Sequence, residues 1–248
     1  MCPPDRDVAA PAAGAAFAAT PWTVVLAARS DDETRRQAME QLCRIYWLPI
    51  YHFVRRRGQS PHDAEDLTQG FFAYVVSSDF LERPDPARGR FRGYLIGALK
   101  RYLAEQFKHA GAQKRGGGAH FIEWDSPTAE QRLAELGEAI ADPVDAYERS
   151  WALTLIARAL DRLAAEQRAA GRERLFLLLK PQLTELALPG EYARLAAELG
   201  ITRAAVALAV HRLKQRHAEL VRLEVAATVA DPTEVKAEME HLARALRS

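Results

Sequence analysis

The amino-acid sequence predicts an all-α protein of two small helical domains joined by an acidic linker, the C-terminal domain containing a helix-turn-helix. Apolar residues recur at spacings of three and four along most of the 248 residues, which is the period of a helix. β-Branched residues are sparse, and alternation of apolar and polar side chains is never sustained, so no strand is indicated. The stretch from residue 191 to residue 217 predicts two helices connected by a tight turn.

The turn in that stretch is predicted from Gly200 and Thr202. Tyr192, Leu195 and Leu199 lie on one helical stripe, and Gly200 then supplies the sharp exit that a residue with a Cβ makes with difficulty. Thr202 is a good N-cap for a second, longer helix. The apolar stripe of that helix is Val206, Ala209, Val210 and Leu213. This pattern predicts a helix-turn-helix, with small Ala196 where the two helices approach most closely.

Positive charge is concentrated on the second helix of this motif. Between residues 203 and 222 five basic side chains oppose one acid, Glu219. The five are Arg203, Arg212, Lys214, Arg216 and Arg222. Such an excess favours contact with phosphates. An Ala-rich helical hairpin with no nucleic-acid role is the alternative that apolar spacing alone leaves open.

Composition excludes several other classes of protein. The net charge of +1 hides basic and acidic blocks that are segregated along the chain. Cys2 and Cys43 are too few for a disulfide framework or a metal cluster, so a reducing compartment is expected. The apolar stretch 8–19 is broken by Pro11 and Gly14 and is a poor signal peptide. We therefore expect residues 1–20 to be a disordered Ala/Pro tail on a cytoplasmic protein that has no membrane span.

The first domain is predicted over residues 21–118. A short helix near Trp22 precedes a longer apolar stripe that runs to Val54, and Pro49 is expected to kink or split that helix. The aromatic group within the stripe is interpreted as core. The group is Tyr46, Trp47, Tyr51 and Phe53.

The segment Ser60-Pro-His-Asp63 predicts a helix start, with a hydroxyl cap, proline at the first position and an acid at the third. The following helix has an apolar side, and an acidic side that is either solvated or binds a partner. The apolar side is Ala64, Leu67, Phe71 and Val75, and the acidic side is Asp63, Glu65, Asp66 and Gln69. Phe72, expected to be exposed at the margin, favours a partner.

A basic and aromatic helix is predicted from about residue 89 to residue 109. Nine basic residues oppose two acids between Arg83 and Arg115, and aromatic residues are interleaved with them. This combination suits single-stranded nucleic acid, because cations follow the backbone while rings stack on bases. Tyr94 is the candidate for stacking, although a core role is equally open. The segment 114–118, rich in glycine, is a flexible end, with a phosphate loop as a weak alternative.

The acidic linker is predicted over residues 119–143, with at most one short helix, and it could cover a basic surface in the free protein. A second helical domain follows over residues 144–229. Residues 230–248 form an amphipathic helix that begins at Asp231-Pro-Thr-Glu234. Whether that helix packs on the second domain or binds another protein is left open.

Three sequence motifs, in this order, resemble bacterial RNA polymerase sigma factors of the extracytoplasmic-function type. The first is Asp63-Ala-Glu-Asp-Leu-Thr-Gln69 with Phe71-Phe72, and the second is Phe91-Arg-Gly-Tyr-Leu95. The third is Leu195-Ala-Ala-Glu-Leu-Gly200 with Val206 and His211-Arg-Leu213. The resemblance covers roughly residues 22–118 and 144–229.

The resemblance implies a transcription-initiation factor that binds core RNA polymerase and directs it to promoter DNA, with no chemistry and no cofactor of its own. It assigns polymerase binding to Asp63, Asp66, Leu67, Gln69 and Phe72. It assigns the downstream promoter element to Arg92, Tyr94, Lys100, Arg101 and Lys108. It assigns the upstream element to Thr202, Arg203, Ala204, Ala207, His211, Arg212 and Lys214. An inhibitory anti-sigma protein is a further partner left open, whereas no membrane or small-molecule substrate is expected.

Two departures from the family bear on base recognition. Ala204, Ala207 and Leu208 stand where family members usually offer polar or basic groups, so readout by side-chain hydrogen bonds should be weak. Gly93-Tyr94 stands where the family commonly has a tryptophan before the leucine, and the usual asparagine and aspartate downstream are not evident.

Two other classes of function have less support in the sequence. A helix-turn-helix regulator that binds duplex DNA without polymerase is the main alternative, and it would require a dimer and a palindromic site. An enzyme is not expected, because the seven histidines form no i, i+4 metal pair flanking a glutamate and no nucleophile motif occurs. His52 and His62 are interpreted as ordinary surface or boundary residues.

Overall fold

The computed structural model describes residues 32–77, 90–110, 126–136, 141–184, 188–229 and 231–247. Within these ranges every regular element is a helix, which confirms the all-α prediction. The predicted tail over residues 1–20, the short helix near Trp22 and the glycine-rich segment 114–118 lie outside the described residues.

The described chain forms nine α-helices, which we number in chain order. They are α1 Asp32–Arg56, α2 Pro61–Ser77, α3 Phe91–Ala110, α4 Ser126–Glu135, α5 Pro143–Ala169, α6 Glu173–Leu179, α7 Glu191–Leu199, α8 Arg203–Ala226 and α9 Val235–Ala245. Two 3-10 turns accompany them, Lys180–Leu183 after α6 and Pro232–Glu234 before α9.

Local capping contacts explain where two of these helices begin. The Ser60 hydroxyl accepts a hydrogen bond from the Asp63 N–H at 3.1 Å and donates to the Asp63 carboxylate at 2.6 Å. The Asp231 carboxylate accepts from the Thr233 N–H at 2.8 Å at the start of the final helical segment. Because each contact satisfies a donor that the first turn leaves unpaired, both predicted starts are confirmed.

Helix α1 is the centre of the fold and continues through Pro49 as a single α-helix. Of the two expected outcomes, a kink or a split, the split is therefore wrong. Every residue from 45 to 54 is buried, so packing on all sides of this segment outweighs the backbone hydrogen bond that proline cannot make. The buried aromatic residues that were predicted as core lie within this segment. They are Tyr46, Trp47, Tyr51 and Phe53.

The hydrophobic core is continuous from α1 through α5 to α8. Both α1 and α8 pack along α5. Tyr46 of α1, Trp151 and Leu155 of α5, and Val221 of α8 belong to one cluster of buried residues. The helices on either side of the predicted linker thus share apolar surface.

Helix α4 lies within the predicted acidic linker and is packed against α1. Ala129 is buried, and its carbonyl oxygen lies 3.2 Å from Nε2 of His52. Glu130 accepts from the Tyr51 hydroxyl at 2.5 Å and from Nε and Nη2 of Arg55 at 2.6 and 2.9 Å. The acidic segment therefore neutralises one arginine at the end of α1.

The structure corrects two predictions of exposure. Phe72 is only 4% exposed, and its ring packs edge-to-face on that of Phe71. The helix that carries it, α2, packs against α1, α3 and α4. His52 is 1% exposed and lies under α4. Cys43, also in α1, is buried, and burial first and Glu40 second raise the pKa of its thiol to about 12.

Close approach of α2 and α3 depends on Gly70. A Cβ at this position would overlap the hydroxyl of Tyr102, whereas a Cβ at Gly93 would meet nothing within 4 Å. Alanine stabilises an exposed helical position by about 0.5–1 kcal/mol relative to glycine. We expect Gly93→Ala to show that gain, and Gly70→Ala to lose about 1 kcal/mol instead, because overpacking displaces the Tyr102 ring. Urea unfolding of the matched pair measures both, and equal stabilisation of the two variants would contradict the close approach.

Candidate nucleic-acid interface

The inner faces of α7 and α8 pack together as the sequence predicts. Leu195 and Ala196 of α7 and Val206, Val210 and Leu213 of α8 are all buried. Gly200 adopts a left-handed conformation with φ +66°, and the Ile201 N–H donates to the Ala196 carbonyl at 3.1 Å. The predicted helix exit is confirmed, since this is the backbone geometry for which glycine is preferred.

Thr202 sets the direction in which α8 leaves the turn. Its hydroxyl oxygen accepts a hydrogen bond from the Ala205 N–H at 3.1 Å. The first turn of α8 is therefore fixed by a side chain that precedes it directly. The first residues of α8, Arg203 and Ala204, are exposed, so this helix begins at the surface.

All seven residues assigned to the upstream element are exposed. They are Thr202, Arg203, Ala204, Ala207, His211, Arg212 and Lys214. Leu208, which lies among them, is also exposed. The helical phase of α8 thus separates a buried stripe from an exposed outer face. α8 packs against α5, α7 and α9.

One of the five basic residues of α8 forms ion pairs with acidic residues of the protein itself. Arg216 donates through Nε and Nη2 to both carboxylate oxygens of Glu166, at 2.9 and 2.8 Å, and through Nη1 to Glu219 at 2.7 Å. The hydrogen bonds to Glu166 and then to Glu219 raise the pKa of Arg216, and the hydrogen bond from Arg216 lowers the pKa of Glu166. This contact links α8 to α5.

The other four cations keep the charge excess that the sequence predicts. Glu219, the one acid between residues 203 and 222, pairs with Arg216 and with none of the other four. In the described part of the chain no acid pairs with the remaining four, and all of them are exposed. They are Arg203, Arg212, Lys214 and Arg222. The outer face of α8 therefore carries four cations available to an external anion.

Helix α3 presents a smaller basic surface than its sequence indicates. Lys100, Arg101 and Lys108 are exposed, as expected for residues that contact DNA. Tyr94 is half-buried, and its ring centroid lies 6.4 Å from that of Phe91, so it contributes to packing on this side. Of the two roles that the sequence left open for Tyr94, its position therefore favours the core role over stacking on a base.

Arg92 is not at the surface of α3. Its side chain is buried, the residue being 5% exposed, and Nε lies 2.9 Å from Oε2 of Glu148 in α5. It also forms an ion pair with Glu238 of α9. In this conformation Arg92 does not lie at the surface of α3, because two carboxylates distant in sequence neutralise it. Its contact with DNA stays a prediction.

Phe107 is an exposed aromatic residue of α3 that was not among the predicted DNA contacts. It is 39% exposed, and the guanidinium carbon of Arg57 lies 6.0 Å from its ring centroid. Because 100° per residue places it on the same side of α3 as Lys100, it is better positioned than Tyr94 for stacking. Spacing could have identified it, since Phe107 follows Lys100 by seven residues.

The acidic side of α2 is partly available. Asp63 and Asp66 are exposed, whereas Leu67 and Gln69 are half-buried. Gln69 donates to the carboxylate of Glu65 at 3.4 Å. With Phe72 buried, the part of the predicted polymerase contact that is at the surface is centred on the two aspartates.

Comparisons with protein-family models, with curated proteins and with solved structures give no match to this chain. No helix of the described ranges has the length and apolar character needed to cross a membrane. Among the same residues, no three histidine, cysteine or acidic side chains are grouped so that they could hold a metal ion.

Proposed function

We propose that this protein is a transcription-initiation factor of the sigma type, which joins core RNA polymerase and carries it to promoter DNA in the cytoplasm. The observation that carries the proposal is the division of α8 into two faces. The positions that such a motif must bury are buried, and all seven residues assigned to the upstream element are exposed. Three of the seven are cations, and with Arg222 they make four exposed cations of α8 that no described acid pairs with.

The outer face of α8 suits the major groove, with more contact to phosphates than to bases. Arg203, Arg212 and Lys214 would position the protein on the backbone, which carries no sequence information directly. Ala204, Ala207 and Leu208 offer methyl groups that can contact thymine but cannot donate hydrogen bonds. We therefore expect high affinity with modest discrimination among upstream sequences.

The exposed side of α3 suits the opened downstream element. Lys100, Arg101 and Lys108 would follow a single-stranded backbone, and Phe107 provides a ring on which a base can stack. Each stacked base is worth about 1–3 kcal/mol, which can offset the cost of unstacking without ATP. In this proposal the two DNA-binding modules are the α2–α3 and the α7–α8 units, and the acidic segment lies between them.

Pull-down with core RNA polymerase tests the partner. We expect the protein to be retained by core enzyme and to lose that retention when Asp66→Arg and Leu67→Ala are combined. Asp161→Arg is the matched control, since Asp161 is an exposed acid on a different helix, α5. Equal retention of all variants would contradict the assigned contact. DNA binding by a dimer at a palindromic site without any polymerase requirement would establish the regulator instead.

Salt dependence of binding tests the basic face of α8. We expect affinity for duplex DNA to fall steeply with salt, with a slope reduced by about two in the variant Arg212→Ala/Lys214→Ala, because each phosphate contact contributes about 0.9 to the slope. Lys236→Ala/Arg244→Ala, which removes two exposed cations from α9, should leave the slope unchanged. Fluorescence anisotropy at several salt concentrations measures these slopes. An affinity of the unaltered protein that is insensitive to salt would refute the role of this face.

A further inference from the structure

A cluster of four charged residues, two buried and two partly exposed, connects the start of α3 with α5 and α9. We call it the α9 clasp, and it consists of Arg90, Arg92, Glu148 and Glu238. Glu238 is 1% exposed, and its Oε2 lies 2.8 Å from Nε of Arg90. Its other oxygen pairs with Arg92, whose Nε lies 2.9 Å from Glu148. Two guanidinium groups face two carboxylates, so the clasp is electrically neutral.

Contacts around the clasp leave little room for an external ligand. The guanidinium carbon of Arg92 lies 4.6 Å from the ring centroid of Trp151. Nε2 of His241 lies 2.9 Å from Oε2 of Glu148, and the Tyr147 hydroxyl donates to the carbonyl oxygen of Arg92 at 3.2 Å. Both arginines that precede the exposed cations of α3 are thus held by groups of the protein itself.

Helix α9 supplies the carboxylate that Arg90 and Arg92 share. Its apolar residues Val235, Leu242 and Ala245 are buried, and α9 packs against α5 and α8. Arg149 of α5 also donates to the Leu246 carbonyl at 3.0 Å. An 11-residue helix held by one apolar stripe and one charge cluster is a small unit that can open without unfolding the core.

We propose that α9 is an autoinhibitory element that keeps two arginines of the basic helix from nucleic acid, and that its release adds them to the DNA-binding surface of α3. This inference rests on the proposed function, since it requires α3 to bind DNA. Buried ion pairs contribute little net stability, and phosphate oxygens can replace carboxylates as acceptors for arginine. Exchange of Glu238 for a DNA phosphate is therefore energetically feasible.

The variant Glu238→Gln tests this in the full chain, with a labelled single strand of about 20 nucleotides as the probe. We expect about tenfold tighter binding at moderate salt and a slope steeper by about one to two, since released arginines contact phosphates. Glu240→Gln, which removes the same charge from the exposed side of α9, is the control and should change affinity less than about twofold. Adding Arg90→Gln to Glu238→Gln should remove about half of the gain, because Arg92 remains.

Leu242→Ala provides a second route, because it weakens the docking of α9 without changing any charge. It should also tighten binding, and circular dichroism should show retained helix in both variants. Equal affinity of Glu238→Gln and Glu240→Gln, with Leu242→Ala unchanged, would overturn the autoinhibitory role. If Glu238→Gln does not fold, the affinity of Leu242→Ala for the strand tests the proposal by itself. If every variant binds the strand as the unaltered protein does, only the clasp proposal fails. If neither the unaltered protein nor any variant binds the strand, the role of α3 at the downstream element fails with it, and loss of duplex binding by α8 as well refutes the proposed function.

Discussion

Replacing Arg158 and Arg162 together by glutamine should lower the free energy of unfolding by about 3 kcal/mol. Nε of Arg158 and Nη1 of Arg162, both in α5, donate to the two carboxylate oxygens of Glu224 in α8 at 2.9 and 2.7 Å. Glu224 is 2% exposed, so the double variant leaves a carboxylate buried without a cation. Urea unfolding at pH 7 measures the loss.

The third substitution Glu224→Gln provides the decisive comparison. Removing the buried charge from the double variant should restore most of the lost stability, because the cost arises from the unpaired carboxylate and not from the missing arginines. Arg168→Gln is the control, since Arg168 and Glu173 form an exposed pair at 2.9 Å whose loss should cost less than about 1 kcal/mol. A triple variant no more stable than the double variant would show that the carboxylate is not the source of the loss.

The stability of the protein should fall by about 3 kcal/mol between pH 6.5 and pH 4 because of His52. Burial lowers the pKa of His52 from its usual 6.5 to about 4, although the hydrogen bond to the Ala129 carbonyl opposes the shift. The unfolded chain therefore binds a proton in this window that the folded protein excludes. The stabilisation is complete above pH 6.5 and is lost as the pH falls toward 4, below which both states are protonated.

His52→Gln should remove most of that slope while keeping a donor for the Ala129 carbonyl. Chemical unfolding at several pH values between 7 and 4 measures it, and His62→Gln is the control because His62 is exposed. Arg55 lowers the pKa of Glu130, whose protonation adds a loss of stability only at the acid end of the window. An unchanged slope in His52→Gln would mean that another group titrates.

Helix ends were predictable from the sequence because their determinants are local. Ser60, Thr202 and Asp231 each accept a hydrogen bond from an N–H two or three residues away, and Gly200 adopts its left-handed conformation within the same turn. The buried and exposed faces of α8 were predictable for a related reason, since helical phase requires no knowledge of the partner helix.

Three residues were placed wrongly because their environment is made by distant segments. Phe72 is buried by three helices that cover α2, and His52 is covered by α4, which begins more than seventy residues later. Arg92 pairs with Glu148, which is 56 residues away in the sequence. A basic residue in a basic helix predicts a surface cation, and only the packing of α5 and α9 on that helix shows otherwise.

Burial of the Cys43 thiol makes α1 a natural reporter of opening motions. A thiol with a pKa of about 12 is almost entirely protonated at neutral pH, and only the thiolate reacts with alkylating reagents. In a Cys2→Ser background, labelling would therefore proceed through conformations in which the central helix contacts water. The labelling rate of Cys43 would then report how often the core opens. Partners could be ranked by how much each of them lowers that rate.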